Sequence, residues 1–356
     1  MLPATDAGTR MAIAPRVYVA LPDEQPKQLL ERIRHGLCQA NETGLLLVIY
    51  GRRECLADLP LPIDLPVMVL EGRPCHPGPL AGAFMYVCPA TMRVQTIRVG
   101  GRTRAVVVED GEARYCLFGG FGTPSTHASR SEQTRQAFEQ LEQTLARAGF
   151  SIGDVIRTWF YNDDILAWYP EFNRVRTAFY RRQAFATGST PASTGVGGVY
   201  PDGSALGLSG WAFQSREEST QAIEVASPLQ CPALNYGSSF SRAMELRGRG
   251  ERRLFVSGTA SIALSGESIW QGNIERQIDR TMEVIAAILS SRDFGWADVD
   301  RATAYFKSAT DYPHWAKWLE RHDLTELPCI AVEGTVCRDD LLFELEVDAA
   351  APSIGF

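Results

Sequence analysis

Lysine is almost missing from this chain. Only Lys27, Lys307 and Lys317 are present, so arginine carries nearly all the positive charge. We read that first as a coding bias and only weakly as chemistry. Acidic residues still win and leave a net charge of -7, which argues against nucleic acid or an anionic membrane as the main partner. A small anionic ligand would need a local cluster of arginines. No run approaches the ~18 apolar residues that span a bilayer. Residues 1–20 lack the continuous apolar core of a signal peptide. The eight cysteines (Cys38, Cys55, Cys75, Cys88, Cys116, Cys231, Cys329, Cys337) include no CxxC pair. A reduced, soluble, cytoplasmic protein is expected. The five histidines show no metal-ligand spacing, and there is no GxGxxG or phosphate loop. Neither a metal nor another cofactor is therefore expected.

What is present is a repeat. A chain of 356 residues makes two domains or one large one. After a loose tail over residues 1–15, a strand is expected at Arg16–Ala20 and a helix over Pro22–Ala40. Strands follow at Leu45–Tyr50 and Val67–Leu70, with Pro-rich chain between and after them. A strand pair, Met92–Val99 and Thr103–Val108, turns at Gly100-Gly101. From Arg114 a pattern appears twice. The first copy runs strand Tyr115–Phe118, helix Ser131–Ala148, strand Val155–Tyr161, helix Trp168–Arg182 and a hairpin Ala192–Phe213. The second runs strand Arg253–Ser257, helix Asn273–Arg292, strand Asp300–Phe306, helix Tyr312–Arg321 and a hairpin Cys329–Val347. The long helices carry apolar faces at helical spacing: Phe138, Leu141, Leu145 in one and Ile278, Met282, Ile285, Leu289 in the other.

The copies align in detail: Asp154–Thr158 over Asp298–Ala302, Tyr169-Pro170 over Tyr312-Pro313, and Pro191 over Pro328. A repeat of this length is a duplicated domain rather than a solenoid unit. Each unit predicts an α+β layer, a mostly antiparallel sheet with two helices on one face. The bare sheet faces must pack together around a shared centre. The expected division is an N-terminal extension at 1–110, a degenerate first domain at 111–222 and a second domain at 223–356, with Gln214–Gln221 as linker. The strand-helix-strand pattern of residues 1–110 also fits a third, eroded fragment that completes a pseudo-trimer, although no motif there proves it.

The second copy ends in Leu341–Val347 (LLFELEV), which alternates apolar and acidic residues and carries Glu344 and Glu346. The matching stretch of the first copy, Leu206–Gly210 (LGLSG), has no acid. One copy keeps a carboxylate that the other has lost. A carboxyl shielded from water has a raised pKa and can act as a general acid at neutral pH. The bland reading is a pair of solvent-facing strand residues, and Glu346 is left as structural. Other candidates are Arg242 in the loop entering the second copy, Arg157 and Tyr161 on the central strand of the first, and Tyr200. The small residues Ala243 and Gly258 leave room for a ligand. Cys337 lies seven residues before Glu344, as Tyr200 lies seven before Gly207; a hairpin turning at Asp339-Asp340 would set Cys337 and Glu344 on neighbouring strands. Each also has a plain structural reading: a surface arginine, a half-buried tyrosine, a small buried cysteine.

Asn235–Ala243 (NYGSSFSRA), Arg253–Thr259 (RLFVSGT) and the closing Leu341–Val347 strand resemble the RidA/YjgF fold, over about residues 110–350. That family's single-domain members form trimers with sites between neighbours. The tandem arrangement behind an N-terminal region, with Ser189–Gly198 (STPASTGVGG) and the Cys337/Glu344 pair, resembles the chorismatases more narrowly. The arginine that RidA deaminases use for a substrate carboxylate is replaced at or near Cys329, which weakens a deaminase reading. The resemblance implies a cofactor-free enzyme acting on chorismate, as a monomer with pseudo-trimer symmetry or as a homotrimer. Arg242 and Arg157 would hold the two carboxylates, with Tyr200 donating a hydrogen bond. Glu344 would protonate the enolpyruvyl methylene, and pyruvate would leave. A cysteine at 337 resembles the hydroxybenzoate-forming type, and Ala243 in place of glycine allows mixed 3- and 4-hydroxybenzoate. The alternatives are hydrolysis to 3,4-dihydroxycyclohexa-1,5-diene carboxylate, imine deamination, or a non-enzymatic ligand-binding module.

Overall fold

The computed structural model describes residues 13–56, 59, 61–62, 64–122, 128–200 and 202–353. Of the expected tail, residues 1–12 lie outside these, and Ala14 and Pro15 already belong to a strand. The chain is α+β and builds three sheets, not two. The first unit holds β1 (Ala14–Val19), α1 (Pro26–Ala40), β2 (Glu42–Gly51), the single-turn α2 (Arg53–Leu56), β3 (Val67–Glu71) and β4 (Leu80–Pro89). The second holds β5 (Gln95–Val99), β6 (Arg102–Glu109), β7 (Ala113–Phe121), α3 (Arg130–Ala148), β8 (Val155–Asn162), α4 (Ile165–Tyr180), β9 (Ala192–Gly197) and β10 (Leu206–Ser215). The third holds β11 (Gln221–Val225), β12 (Ala243–Arg247), β13 (Glu251–Ala260), α5 (Ile274–Ser290), β14 (Val299–Phe306), α6 (Tyr312–Arg321), β15 (Cys329–Glu333) and β16 (Phe343–Pro352).

The strand orders are β1-β4-β2-β3, β5-β6-β7-β10-β8-β9 and β11-β12-β13-β16-β14-β15. Without the leading two-strand flap of the second and third sheets, the three are the same. In each, the last pair in that order is parallel: β2 with β3, β8 with β9, β14 with β15. Residues 1–110 therefore contain the third copy; among the described residues it shows no flap and only one turn of its second helix. The flap strands β5 and β6 belong to the second sheet, so that unit begins before the expected boundary at 110.

Two further expectations need correction. Ala192–Phe213 and Cys329–Val347 are not hairpins. In each, the last strand enters the gap between two earlier ones, so β8 separates β9 from β10 and β14 separates β15 from β16. A parallel pair needs a crossover, which α4 and α6 provide. Strands β4, β11 and β12 were not anticipated. β4 reads LAGAFMYVCP and is buried over nearly its whole length, so alternation is absent and periodicity gives no signal.

Helix ends follow local chemistry. Ser129 Oγ accepts from the Glu132 amide at the start of α3, and Gly149 closes it at φ 76°. Asn273 caps α5 in the same way through the Arg276 amide. The apolar helix faces seal the outer side of each sheet. The inner faces meet in one shared core drawn from all three units, including Phe84, Tyr86, Trp159, Trp211 and Phe255.

The symmetry is visible at the centre. Tyr50, Tyr161 and Tyr305 occupy one register position, opposite Gly82, Gly207 and Glu344 respectively. The Tyr50 hydroxyl lies 2.9 Å from that of Tyr161 and 3.2 Å from that of Tyr305. Two residues along β16, Glu346 is buried and bound by Arg157 at 2.6 Å and Arg301 at 2.9 Å. Arg301 also holds Asp348 at 2.8 Å, and Tyr86 donates to the same carboxylate. Removing one partner of a buried pair leaves an uncompensated charge, which costs about 3–5 kcal/mol. Arg301→Met is expected to destabilise the chain by that amount in urea titration at neutral pH. A loss below about 1 kcal/mol would show that Glu346 and Asp348 are not held as charges.

Candidate active site

A cleft of about 770 Å³ opens between the second and third units. One wall is α4, with Tyr169, Asn173 and Arg176, together with Ser193 and Gly195 of β9. The other wall is the loop through Tyr236, Ser238 and Phe240, then Arg242, Gly258 and the Cys337–Asp339 segment. Glu344 forms part of the floor. The alternation of β16 explains its position. Phe343, Leu345 and Val347 pack outward into the helix-covered core of the third unit, while Glu344, Glu346 and Asp348 point to the centre. The bland reading of a solvent-facing pair fails, since the face is buried, with Glu344 4% exposed and Glu346 0%.

The two glutamates then part company. Glu346 accepts from Trp159 Nε1 at 2.8 Å and from Arg157, Arg301, Thr194 and Tyr305. Burial alone would raise its pKa, but the two guanidiniums and these donors hold it below the usual carboxylate range. Glu344 accepts no hydrogen bond from a described residue. Burial pushes its pKa up to about 8, the adjacent Glu346 charge adds to the rise, and Arg157 and Arg242 oppose it. At neutral pH Glu344 is therefore a protonated carboxylic acid beside an open cleft. Gly258 leaves room for the Glu344 carboxyl, which a Cβ there would displace. Its amide donates to Thr194 Oγ1 at 3.0 Å, which ties the two units together beneath the acid.

Cys337 lines the same cleft, reaching it from the loop before β16 rather than from a neighbouring strand. Burial and the nearby Glu344 push its thiol up to about 12, so it is neutral. Arg242 also lines the cleft. Its Nε and one terminal nitrogen donate to the Cys231 carbonyl at 3.0 and 2.9 Å, and its guanidinium also reaches the Tyr236 hydroxyl. Its guanidinium lies 5.5 Å from the Phe240 ring centre.

Four expected residues sit elsewhere. Arg157 is fully buried, spends its charge on Glu346, and does not reach the cleft wall. Tyr161 is held in the central tyrosine trio. Ala243 packs in the core with Leu254 and Val256. Tyr200 faces a different cleft, between the first and second units. Arg176 was missed. It is 1% exposed, lies 5.8 Å from Phe240 on that ring's other arginine contact, and has an unpaired buried Nε. Sequence gave no signal for it, since an arginine in an amphipathic helix reads as a surface residue. Among the described residues no three His, Cys, Asp or Glu side chains converge to hold a metal ion.

The profile of the endoribonuclease L-PSP family matches residues 122–199 and 233–351, more than half of the chain. The chain belongs to the endoribonuclease L-PSP family. The two matched stretches fall in the second and third units, and strand order alone identifies the first as their relative. No curated protein matches the chain significantly. Among solved structures, a chorismatase determined at 1.08 Å resolution is 17% identical and covers 96% of this chain and 99% of its own, with a TM-score of 0.70. Yeast Mmf1 is 17% identical over 36% of this chain and 98% of its own, with a TM-score of 0.31. The YjgF gene product of E. coli is 20% identical over 35% of this chain and 96% of its own, with a TM-score of 0.29. The chorismatase likeness extends the shared fold through the N-terminal unit.

The raised Glu344 pKa has a thermodynamic consequence. Unfolded, the group ionises near the ordinary glutamate value of 4.5; folded, it stays protonated until about 8. Between these values the folded state binds more protons than the unfolded one, so stability falls as pH rises. Its contribution is fully present below the unfolded pKa and is lost as pH rises through the folded one. Glu344→Gln is expected to gain on wild type by a few kcal/mol between pH 5 and 8, roughly the size of the shift. Parallel denaturation curves for the two proteins across that range would contradict the assignment.

Proposed function

We propose that this protein is a cofactor-independent enzyme that cleaves chorismate and releases pyruvate, with 3-hydroxybenzoate as the main product. The observation that carries the reading is a neutral Glu344 on the floor of a cleft flanked by Arg242 and Arg176. The fold shared along the whole chain with a chorismatase supports it.

Chorismate presents two carboxylates, and each favours a charge-assisted arginine contact. Arg242 takes one. Arg176 replaces Arg157 as the second, because Arg157 is already paired with Glu346 while Arg176 lines the cleft. Glu344 gives its proton to the enolpyruvyl methylene, and positive charge develops on the ether carbon. The ionised Glu344 is then stabilised by the guanidiniums that oppose its raised pKa. Capture of that carbon by the ring hydroxyl gives a cyclic ketal. Its bond to the original ether oxygen and the bond from the hydroxyl oxygen to the ring then break, pyruvate leaves with that hydroxyl oxygen as its carbonyl, and loss of a ring proton restores aromaticity. Chorismate divides into hydroxybenzoate and pyruvate with no net addition of water. Proton transfer from a positioned acid contributes about 10²–10⁴-fold.

A neutral Cys337 thiol within the same cleft favours the hydroxybenzoate course over capture by water. Ala243 lies in the core rather than at the cleft wall, so its size offers no argument for mixed 4-hydroxybenzoate. The three units of one chain supply the kind of interface that the RidA resemblance implies single-domain members gain by trimerising, and we take the working form to be the monomer.

Purified protein with chorismate is expected to release pyruvate and an aromatic acid in equal amounts. Absence of pyruvate sinks the reading; release of the dihydroxycyclohexadiene carboxylate assigns the hydrolytic type instead. Glu344→Gln is expected to lower kcat about 10²–10⁴-fold. In wild type the rate falls as pH rises through about 8, where the acid ionises. Cys337→Val is expected to shift product toward the diene with pyruvate release retained; an unchanged product ratio would remove its steering role.

A further inference from the structure

The cleft between the first and second units repeats the geometry of the candidate active site. The registers fix the correspondence. Thr158 opposite Ser193 and Phe160 opposite Gly195 match Leu47 opposite Val67 and Ile49 opposite Val69, so Val67 and Val69 stand where Ser193 and Gly195 stand. On the other wall, Ala105 pairs with Phe118 as Ala243 pairs with Val256. Arg104 is therefore the counterpart of Arg242, and Gly120 of Gly258. Gly207 takes the place of Glu344, each opposite its unit's central tyrosine. Tyr200 stands in for Cys337. The erosion was selective: the arginine and the glycine against the floor remain, and the acid is gone.

This cleft measures about 360 Å³, within the range of small-molecule sites and about half the size of the first. Leu59, Leu65, Val67 and Val69 give it an apolar wall. Arg104 is half-buried, lies 5.7 Å from the Phe121 ring centre and donates no hydrogen bond to a described residue. The other charged groups at the cleft are Arg102 and Asp202. Asp202 is already engaged by the Ser204 amide and hydroxyl at 3.0 and 2.6 Å. A sheltered guanidinium without an acceptor costs free energy unless an anion completes it. The Tyr200 hydroxyl donates to the Val67 carbonyl at 3.3 Å, which fixes the ring as a flat inner surface.

The third interface, between the third and first units, is closely packed around Val332. Pro74 bridges to Val332, and Gly72 lies directly against the Val332 side chain. Among the described residues the first unit shows no flap strand to contribute an arginine.

We propose that the cleft between the first and second units is a second, non-catalytic site that binds a small aromatic monocarboxylate through Arg104. The carboxylate meets the guanidinium over Gly120, and the ring lies among Val67, Val69 and Leu65. With no acid at position 207, a bound enol ether would not be protonated there. The assignment does not depend on the proposed reaction, although a hydroxybenzoate has the required chemistry and would make the site a sensor of product.

The probe is 4-fluorobenzoate, followed by fluorine NMR on the full chain. Saturable binding is expected to persist in Arg242→Met, which disables the first cleft. It is expected to weaken about tenfold or more in Arg104→Gln, which removes a charge-assisted contact. Val69→Phe, which fills the cleft without touching a charge, is expected to do the same. Arg104→Gln should keep wild-type turnover of chorismate in the absence of added aromatic acid, so a failure of the second site is read separately from a failure of the reaction. Binding abolished by Arg242→Met alone, binding untouched by both cleft variants, or no binding at all would each overturn the proposal.

Discussion

The structure depends on one buried carboxylate. Glu346 sits where all three units meet and holds its charge only because Arg157 from the second unit and Arg301 from the third reach it together. Thr194, Trp159 and Tyr305 complete its shell. A charge in such a place is costly unless paired and hydrogen-bonded, so this carboxylate fixes how the two units dock. It also sets the electrostatics of its neighbour. Glu344 lies two residues away on the same strand face, and the Glu346 charge helps keep it protonated. The packing device and the proposed acid are thus one arrangement. The ionised residue is the scaffold, and the neutral one is left facing the cleft.

That arrangement explains which parts were legible in the sequence. The duplication was visible because helix faces and strand–helix spacing recur, and the aligned pairs Asp154–Thr158 and Asp298–Ala302 hold in the structure through equivalent strands. Glu344 was legible as the acid without a counterpart, and Gly207 does occupy its position. The third copy could only be suspected, because it shares topology with the others while its sequence has drifted. Its β4 is buried along its length and shows no alternation.

Other features were hidden for physical reasons. Seven residues between Cys337 and Glu344 look like a hairpin, yet β16 pairs with β13 and β14 and not with β15. Local spacing does not encode which gap a strand enters. Arg157 was correctly placed on the face of Trp159 and Tyr161, but that face meets Glu346 and not the ligand cleft. Sequence shows which way a side chain points along a strand and leaves open what it points at. Arg176 lies on a helix whose inner end closes the cleft, a position that only the docking of α4 against the third unit creates.

Pseudo-symmetry also bears on why only one acid survives. In a chain with three identical units, each residue near the axis would appear three times. Three copies of Glu346 and Asp348 would crowd six carboxylates into one low-dielectric core, and like charges so close cannot all ionise. Here the positions equivalent to Glu346 are Ser209 and Phe84, and those equivalent to Asp348 are Trp211 and Tyr86. The aromatic rings fill volume, and Arg157 and Arg301 converge on the remaining carboxylates. Fusing the units into one chain lets each position diverge separately. A strongly paired charge at the centre, and the proton it keeps on Glu344, are available only to an assembly that has given up exact threefold repetition.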